Sequence, residues 1–293
     1  MRYESPTSIL SELSFVVGEQ FALVDHKMTR SYLLDETAPP VRPKPNEDIV
    51  VVKPSSTDEV SRILNLAYER GIAVFPRGGG TGLCGGAVPT LPGIVISMER
   101  MNRIEIDREN LLAICDAGAT LRDLAKAAGE AELCFPPHPG DESAQGGGMI
   151  ATNAGGSRAI KHGIMRNATK GLEVVLADGE VIRLGWKLHK DNTGYNLMNL
   201  VIGSEGTLGI ITKAAIKLSP RSPVSITMLI PYNDRYDAIN TVPDILKAGV
   251  LPLALEYVQK REITIVERHL NEEWPAREGT VYLLIIIDGT AEE

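Results

Sequence analysis

Cysteine is scarce in this chain: Cys84, Cys115 and Cys134 are the three among 293 residues. They are odd in number, far apart and form no CxxC pair. No disulfide framework, zinc site or iron–sulfur cluster follows from them, and the expectation is buried, reduced thiols in a reducing compartment. Long apolar runs are also missing. The greasiest stretch, 281-VYLLIII-287, is far too short to span a bilayer. The opening MRYESPTSIL has no apolar segment of the signal-peptide kind. Basic excess is absent too: the net charge is −8, which argues against a general nucleic-acid binder but leaves room for a local site taking one phosphate group. A cytoplasmic chain without a transmembrane segment is expected, any membrane attachment being peripheral and through a partner.

What is present is an ordinary soluble composition, 43% hydrophobic and 23% charged. The length suggests two domains at roughly 150 residues each. Gly (28) and Pro (18) are plentiful, and the glycines cluster, as they do where backbone approaches something closely.

Residues 6–24 predict one amphipathic helix, with Ile9, Leu10, Leu13, Val16 and Val17 at helical spacing. A Pro-rich connector, 38-APPVRPKPNED-48, marks a boundary. Then 49-IVVVKP-54 predicts a strand. Ser56 to Glu59 form a capping box for a helix that carries Val60, Ile63, Leu64 and Ala67 on one face and stops at Gly71. A strand, 72-IAVF-75, leads into 75-FPRGGGTGLCGG-86.

That segment contains Gly80-x-Gly82-x-x-Gly85, the spacing of a dinucleotide fingerprint, with Glu99 at roughly the distance of a ribose contact. The fingerprint fails on context. Parallel neighbours need a long crossover, usually helical. Here 86-GAVPTLPG-93 enters the strand 94-IVIS-97 at once, and Pro89 and Pro92 forbid a stable helix. What remains is a strand ending in consecutive glycines, with Arg77 beside them. Successive N–H groups of such a loop make an anion-binding nest, so a phosphate or pyrophosphate ligand is expected.

Further along, 112-LAICDAG-118 predicts a strand and Thr120-x-x-Asp123 a capped helix. The block 136-PPHPGDESAQGGGMIATNAGGSRAIKHG-163 is too long for a turn. Met149, Ile150, Ala151 and Ala154 argue against a linker, and a loop of this length inside a domain is usually functional. A hairpin is expected across 172–184 around Asp178-Gly179. A third block, 194-GYNLMNLVIGSEGTLGIITKAAIKLSP-220, ends in a strand. Residues 224–293 have few glycines and a β-α-β-α-β rhythm, with Pro243 inside the first helix.

The three glycine-bearing blocks, in this order, resemble the FAD-linked oxidases of the vanillyl-alcohol oxidase / p-cresol methylhydroxylase (PCMH) type, on the side of the D-2-hydroxyacid dehydrogenases acting on D-lactate or glycolate. The resemblance covers roughly residues 30 to 260. It implies an α+β chain: a PCMH-type FAD-binding domain of two α/β subdomains (43–221), preceded by an N-terminal helix and connector (1–42) and followed by an incomplete, ferredoxin-like α+β cap (222–293).

It also implies a site. Arg77, Gly78, Gly79, Gly80, Thr81, Gly82 and Leu83 would wrap the FAD pyrophosphate. Pro139 and Gly140 would lie near the adenosine half. Gly147, Gly148, Ala151, Asn153, Gly155 and Gly156 would run under the ribityl chain and ring, and Gly163 would turn the chain away. Glu205, Gly209 and Ile210 would complete the cavity. The first loop offers Thr81 and no histidine, so a non-covalent FAD is expected. His138 is expected as a structural histidine near the flavin and His162 flanks the same block, while Asp141 and Glu142 are expected as a solvated pair.

The implied reaction is hydride transfer from C2 of a small 2-hydroxy acid to flavin N5. The implied electron acceptor is an iron–sulfur subunit, an electron-transfer flavoprotein or a quinone. The base and the ligands of a divalent metal belong to a part of the cap this chain does not contain, so no catalytic residue is assigned, and the chain is expected to be a fragment or one piece of a split enzyme. Alternatives on the same scaffold are a flavin-binding subunit without turnover, an alkyl-transfer synthase or a phenol oxidase.

Overall fold

The computed structural model describes residues 5–188 and 190–290. The N-terminal segment differs from the single helix expected over 6–24. Helix α1 (Leu10–Val17) buries Leu13, Val16 and Val17, then stops at Gly18, whose φ of 92° takes it out of the helix. The next residues form strand β1 (Ala22–Leu23), and α2 (His26–Thr29) follows an Asp25 cap. The reason is tertiary: β1 covers the open edge of β2 (Ile49–Val52), pairing Ala22 with Val52 and Leu23 with Val51.

Helix α3 (Thr57–Arg70) is the one its capping residues announce. Ser56 Oγ accepts from Glu59 N, and Gly71 closes the helix in the left-handed region. Glu59 reaches one residue further back than a capping box would place it, onto the N–H and hydroxyl of Ser55. Val60, Ile63, Leu64 and Ala67 are buried, each aliphatic branch contributing about 1.5–3 kcal/mol.

Strands β3 (Ala73–Arg77) and β4 (Gly93–Ser97) complete a first sheet in the order β1-β2-β4-β3. β2, β4 and β3 are parallel. Both β2 and β4 are wholly buried, which is why they read as continuous aliphatic runs. No helix lies between β3 and β4; their connection is the first glycine loop, leaving the carboxyl end of β3 at Arg77.

A second sheet is antiparallel throughout. Its strands are β5 (Ile104–Asp107), β6 (Leu112–Asp116), β8 (Thr169–Val175), β9 (Val181–Gly185) and β10 (Ile210–Lys217), in the order β5-β6-β10-β8-β9. The two-residue strand β7 (Leu133–Cys134) pairs outside it with β11 (Ser219–Pro220). Helices α4 (Leu121–Glu130) and α5 (Gly146–Ala151) share its apolar core, in which Leu124, Ile150, Leu172 and Ala214 are buried. The short helices α6 (Ala159–His162), α7 (Met165–Ala168) and α8 (Met198–Val201) lie in the connections. The other face of the sheet meets α3: Glu173 is buried and accepts from Thr57 Oγ1 (2.7 Å) and Arg183 Nε (2.9 Å). Burial disfavours ionisation of Glu173, but these bonds outweigh it and hold the carboxyl below its ordinary value.

The remaining unit places β14 (Val281–Gly289) between β12 (Val224–Tyr232) and β13 (Ala254–Gln259), antiparallel to both. Helix α9 (Arg235–Lys247) contains Pro243, and α10 (Lys260–Leu270) follows β13. Its core is small, centred on Ala238, Val281, Leu283 and Ile285. Lys161 on α6 joins the unit to the rest through Asp288 (2.6 Å), whose other oxygen accepts from Ser222. No helix among the described residues is long and apolar enough to cross a membrane.

Candidate functional site

The three glycine-bearing segments are far apart in the chain and meet in space. Position 78 faces Gly148: a β-carbon there would lie 3.6 Å from Gly148 Cα. One at position 79 would lie 2.6 Å from the Ser143 carbonyl. The third segment ties to the second through Glu205 N to Ala151 O (2.9 Å) and Gly203 N to Ile150 O (3.3 Å). It meets the first where Glu205 approaches Gly86 and Gly206 approaches Pro76.

Between them lies a cavity of about 490 Å³, inside the usual range for small-molecule sites, roughly 300–1,000 Å³. Its first wall is Arg77 to Leu83 with Cys84 and Gly86. Its second is Pro139, Gly147, Gly148, Ala151, Asn153 and Gly155. Its third is Glu205, Gly206, Gly209 and Ile210. A wider groove of about 820 Å³ runs between α1, α3 and the Asp178 turn, but it gathers none of these segments.

Three expected residues do not line the cavity. Gly140 has open space around it. Gly156 is pressed against the His138 carbonyl, so that a β-carbon there would overlap backbone. Gly163, with φ of 76°, abuts Asn167 at the end of α6. Several lining residues escaped the sequence reading, among them Asp141, Ala144, Gln145, Thr152 and Ile211. Gly86 and Gly206 carry a signal, since each extends a glycine cluster. Gln145 carries none beyond preceding one.

The first loop is a row of unused donors. Among the described residues, no main-chain N–H from Gly79 to Ala87 donates to a protein acceptor. Gly79, Gly82, Leu83, Cys84 and Gly86 are exposed and the residues between them half-buried, so these amides are open to solvent or to an anion of the kind such a loop can hold.

Arg77 takes a different place from the one expected. Its guanidinium turns back into the protein, donating to the carbonyls of Leu34 (2.9 Å), Ser31 (3.1 Å) and Tyr32 (3.4 Å), and lies over the Tyr32 ring. Burial lowers its pKa, against the pull of Asp35, Tyr32 and Glu99. Gly80, with φ of +73°, passes so close to this guanidinium that a β-carbon would collide with Nη2. The side chain therefore braces the loop from behind, and the loop lines the cavity with amides that no protein acceptor uses.

Glu99, the tempting ribose partner, is committed elsewhere. It pairs with Lys53 (2.6 Å) and accepts from Tyr32 OH and Ser97 Oγ (both 3.1 Å). Burial opposes its ionisation, yet these partners, Lys53 foremost, hold the carboxyl below its ordinary value.

The second segment is shaped by Asn153 and the third by Glu205, both non-glycine residues in the left-handed region (φ 50° and 51°). Such conformations cost energy and persist where surroundings over-determine them. Asn153 Oδ1 accepts from Arg166 N (3.0 Å), which fixes the turn. Asp141 accepts from the Ser143 N–H and hydroxyl, and Glu142 pairs with Arg122 (2.9 Å), so the two acids have separate partners.

His138 is not among the residues lining the cavity; its carbonyl lies against Gly156. His162 lies half-buried beside Lys161 and Asp288, its pKa lowered by burial. Two thiols are at least partly buried as expected, and burial pushes Cys115 up to about 12. Cys84 corrects that expectation: it sits exposed on the first loop, which projects it into the cavity mouth. Among the described residues no group of three or more His, Cys, Asp or Glu gathers as a metal site.

Comparison with known proteins adds names to this geometry. Residues 49–185 match a family described as an FAD binding domain, and residues 221–293 match one described as the C-terminal domain of FAD linked oxidases. The chain is 50% identical over 285 residues to a D-lactate dehydrogenase of Archaeoglobus fulgidus, covering 97% of this chain and 63% of that one. It is 42% identical over 244 residues to the glycolate oxidase subunit GlcD of Bacillus subtilis, covering 83% and 52%. The chain thus spans between half and two thirds of these relatives' length. Among solved structures, an alkyldihydroxyacetonephosphate synthase superposes with a TM-score of 0.82 at 20% identity, over 99% of this chain and 57% of that one. p-Cresol methylhydroxylase superposes with a TM-score of 0.77 at 17% identity, over 98% and 61%. At those identities the likeness is one of fold.

Proposed function

Because this chain belongs to the FAD-linked oxidases, we propose that it holds FAD non-covalently as the flavin-binding part of an enzyme oxidising a small 2-hydroxy acid of the D-lactate or glycolate kind. The observation that carries the reading is the convergence of three remote glycine segments on one cavity, one of them presenting unpaired amides. The relatives named for lactate and glycolate are 42–50% identical, whereas the alkyl-transfer synthase shares fold at 20%. That difference favours hydroxy-acid chemistry over synthase chemistry.

The residues present fit FAD. The amides of Gly79, Gly80, Thr81 and Gly82 suit a diphosphate, since N–H groups in a nest bind anions without a lysine. Gly147, Gly148, Ala151 and Gly155 let backbone approach a flat ring, and Asn153 holds their turn. Pro139 would lie toward the adenosine half. Glu205, Gly209 and Ile210 would bound the third side. When bound, FAD supplies the acceptor for the hydride leaving C2 as the alcohol becomes a 2-oxo acid. The chain's own contribution is to orient that group and shield it. No side chain here is assigned as the base. Electrons leave through an iron–sulfur subunit, an electron-transfer flavoprotein or a quinone, in the cytoplasm.

The purified protein should be yellow, with its flavin released by heat. A colourless protein that cannot be reconstituted with FAD overturns the reading. Anaerobic addition of D-lactate or glycolate to the loaded protein should bleach the flavin, and a dye acceptor should restore it. A loaded protein that neither acid bleaches overturns the hydroxy-acid assignment and leaves the flavin assignment standing.

A further inference from the structure

Gln145 precedes α5 and was singled out by no motif. Its residue is 8% exposed. Its main-chain carbonyl accepts from Met149 N, and its neighbours Ala144 and Gly146 make the bonds that bridge it to Thr120. Its side chain points between the first and second glycine segments. A β-carbon at position 78 would lie 3.5 Å from Gln145 Cβ and 3.7 Å from its Oε1, with Gly148 Cα at 3.6 Å. Gln145 also lines the cavity. Yet Oε1 is buried without a hydrogen-bond partner. A buried carbonyl left unpaired is a cost to the fold, and native structures rarely keep one without a reason.

Resting on the flavin reading above, we infer that Gln145 is an FAD-binding residue whose side-chain carbonyl accepts a hydrogen bond from a hydroxyl of the ribityl chain. The chemistry narrows the partner. Oε1 is an acceptor and needs a donor. Diphosphate oxygens are acceptors and repel it. Gln145 stands where the loop assigned to the diphosphate meets the segment assigned to the ring, and the ribityl chain, with its hydroxyls, joins those two parts of FAD. The unpaired carbonyl is thus a stability cost carried by the empty protein and relieved when the ligand arrives.

This gives a signature that a purely structural glutamine would not show. In Gln145→Leu and Gln145→Met, the ligand-free protein should melt at the same temperature as the unaltered one or higher, because an unpaired buried polar group is gone. FAD affinity, read by titration of flavin fluorescence, should weaken about tenfold, equivalent to ~1.4 kcal/mol. Affinity for ADP, which has the diphosphate but no ribityl chain, should be unchanged. Unchanged FAD affinity in both variants overturns the inference, as does a loss of ligand-free stability without a loss of affinity. An equal loss for ADP overturns the ribityl assignment. Failure of the unaltered protein to bind FAD overturns the underlying reading instead.

Discussion

The first and second glycine segments look alike in sequence and differ in what their glycines do. In the first, the amides of Gly79 to Ala87 are unspent and Gly80 makes room for a guanidinium. In the second, the amides are largely spent: Gly146 donates to Ala119 and Gly147 to Ala117. Its glycines are small because other residues press against them, the Ala117 methyl at Gly147 and the His138 carbonyl at Gly156. One segment is a donor surface held from behind; the other is a packed floor. A glycine cluster therefore does not specify one role. Bond accounting separates the two.

Substitution should separate them as well. The largest effect belongs to the floor. Gly156→Ala forces a β-carbon onto a backbone carbonyl that cannot swing aside, and we expect a loss above about 3 kcal/mol in urea unfolding. A loss below about 1 kcal/mol would show that the 138–156 contact relaxes.

Arg77→Lys comes next. It keeps the charge but replaces the planar fork, whose two terminal nitrogens together reach three carbonyls, with one point donor. Ligand-free stability should fall by about 2 kcal/mol, with flavin affinity weakening as the loop loosens. Weakened affinity with intact ligand-free stability would return Arg77 to the role of phosphate ligand.

Acidification probes the Lys53–Glu99–Tyr32 group, whose Tyr32 ring lies under the Arg77 guanidinium, more gently. The Glu99 carboxyl is held below its ordinary value, so its stabilisation is present at neutral pH. It fades as the pH falls below about 4.3. Glu99→Gln should flatten that part of the stability profile; an unchanged acid limb would remove Glu99 from that group.

The smallest perturbation is chemical labelling. Cys84 should be the thiol alkylated fastest in the native protein, FAD should slow it, and Cys115, raised to about 12, should stay unmodified. Labelling of Cys84 at the same rate with and without FAD would place the ligand away from the first loop.

Much of the architecture was legible because it is local. The Ser56 and Thr120 caps, the Gly71 stop and the Asp178-Gly179 turn each act within a few residues. The absence of a helix between β3 and β4 followed from two prolines. The site was legible as glycine clusters. The illegible parts depend on distant partners. β1 exists because β2 has an open edge, and Gly18 ends the helix before it. Arg77 faces carbonyls more than 40 residues upstream. Gln145 matters through Gly78 and Gly148 beside it.

By itself, then, the amino-acid order determined the alternation of strands and helices, the rejection of the dinucleotide fingerprint and the three glycine segments that line the cavity. Those properties rest on backbone sterics, capping and periodicity, all short-ranged. Tertiary structure alone decided which donors remain free, where the guanidinium goes and which carbonyl is left waiting. A hydrogen bond belongs to whichever partner the fold brings within about 3 Å, and sequence distance does not record that.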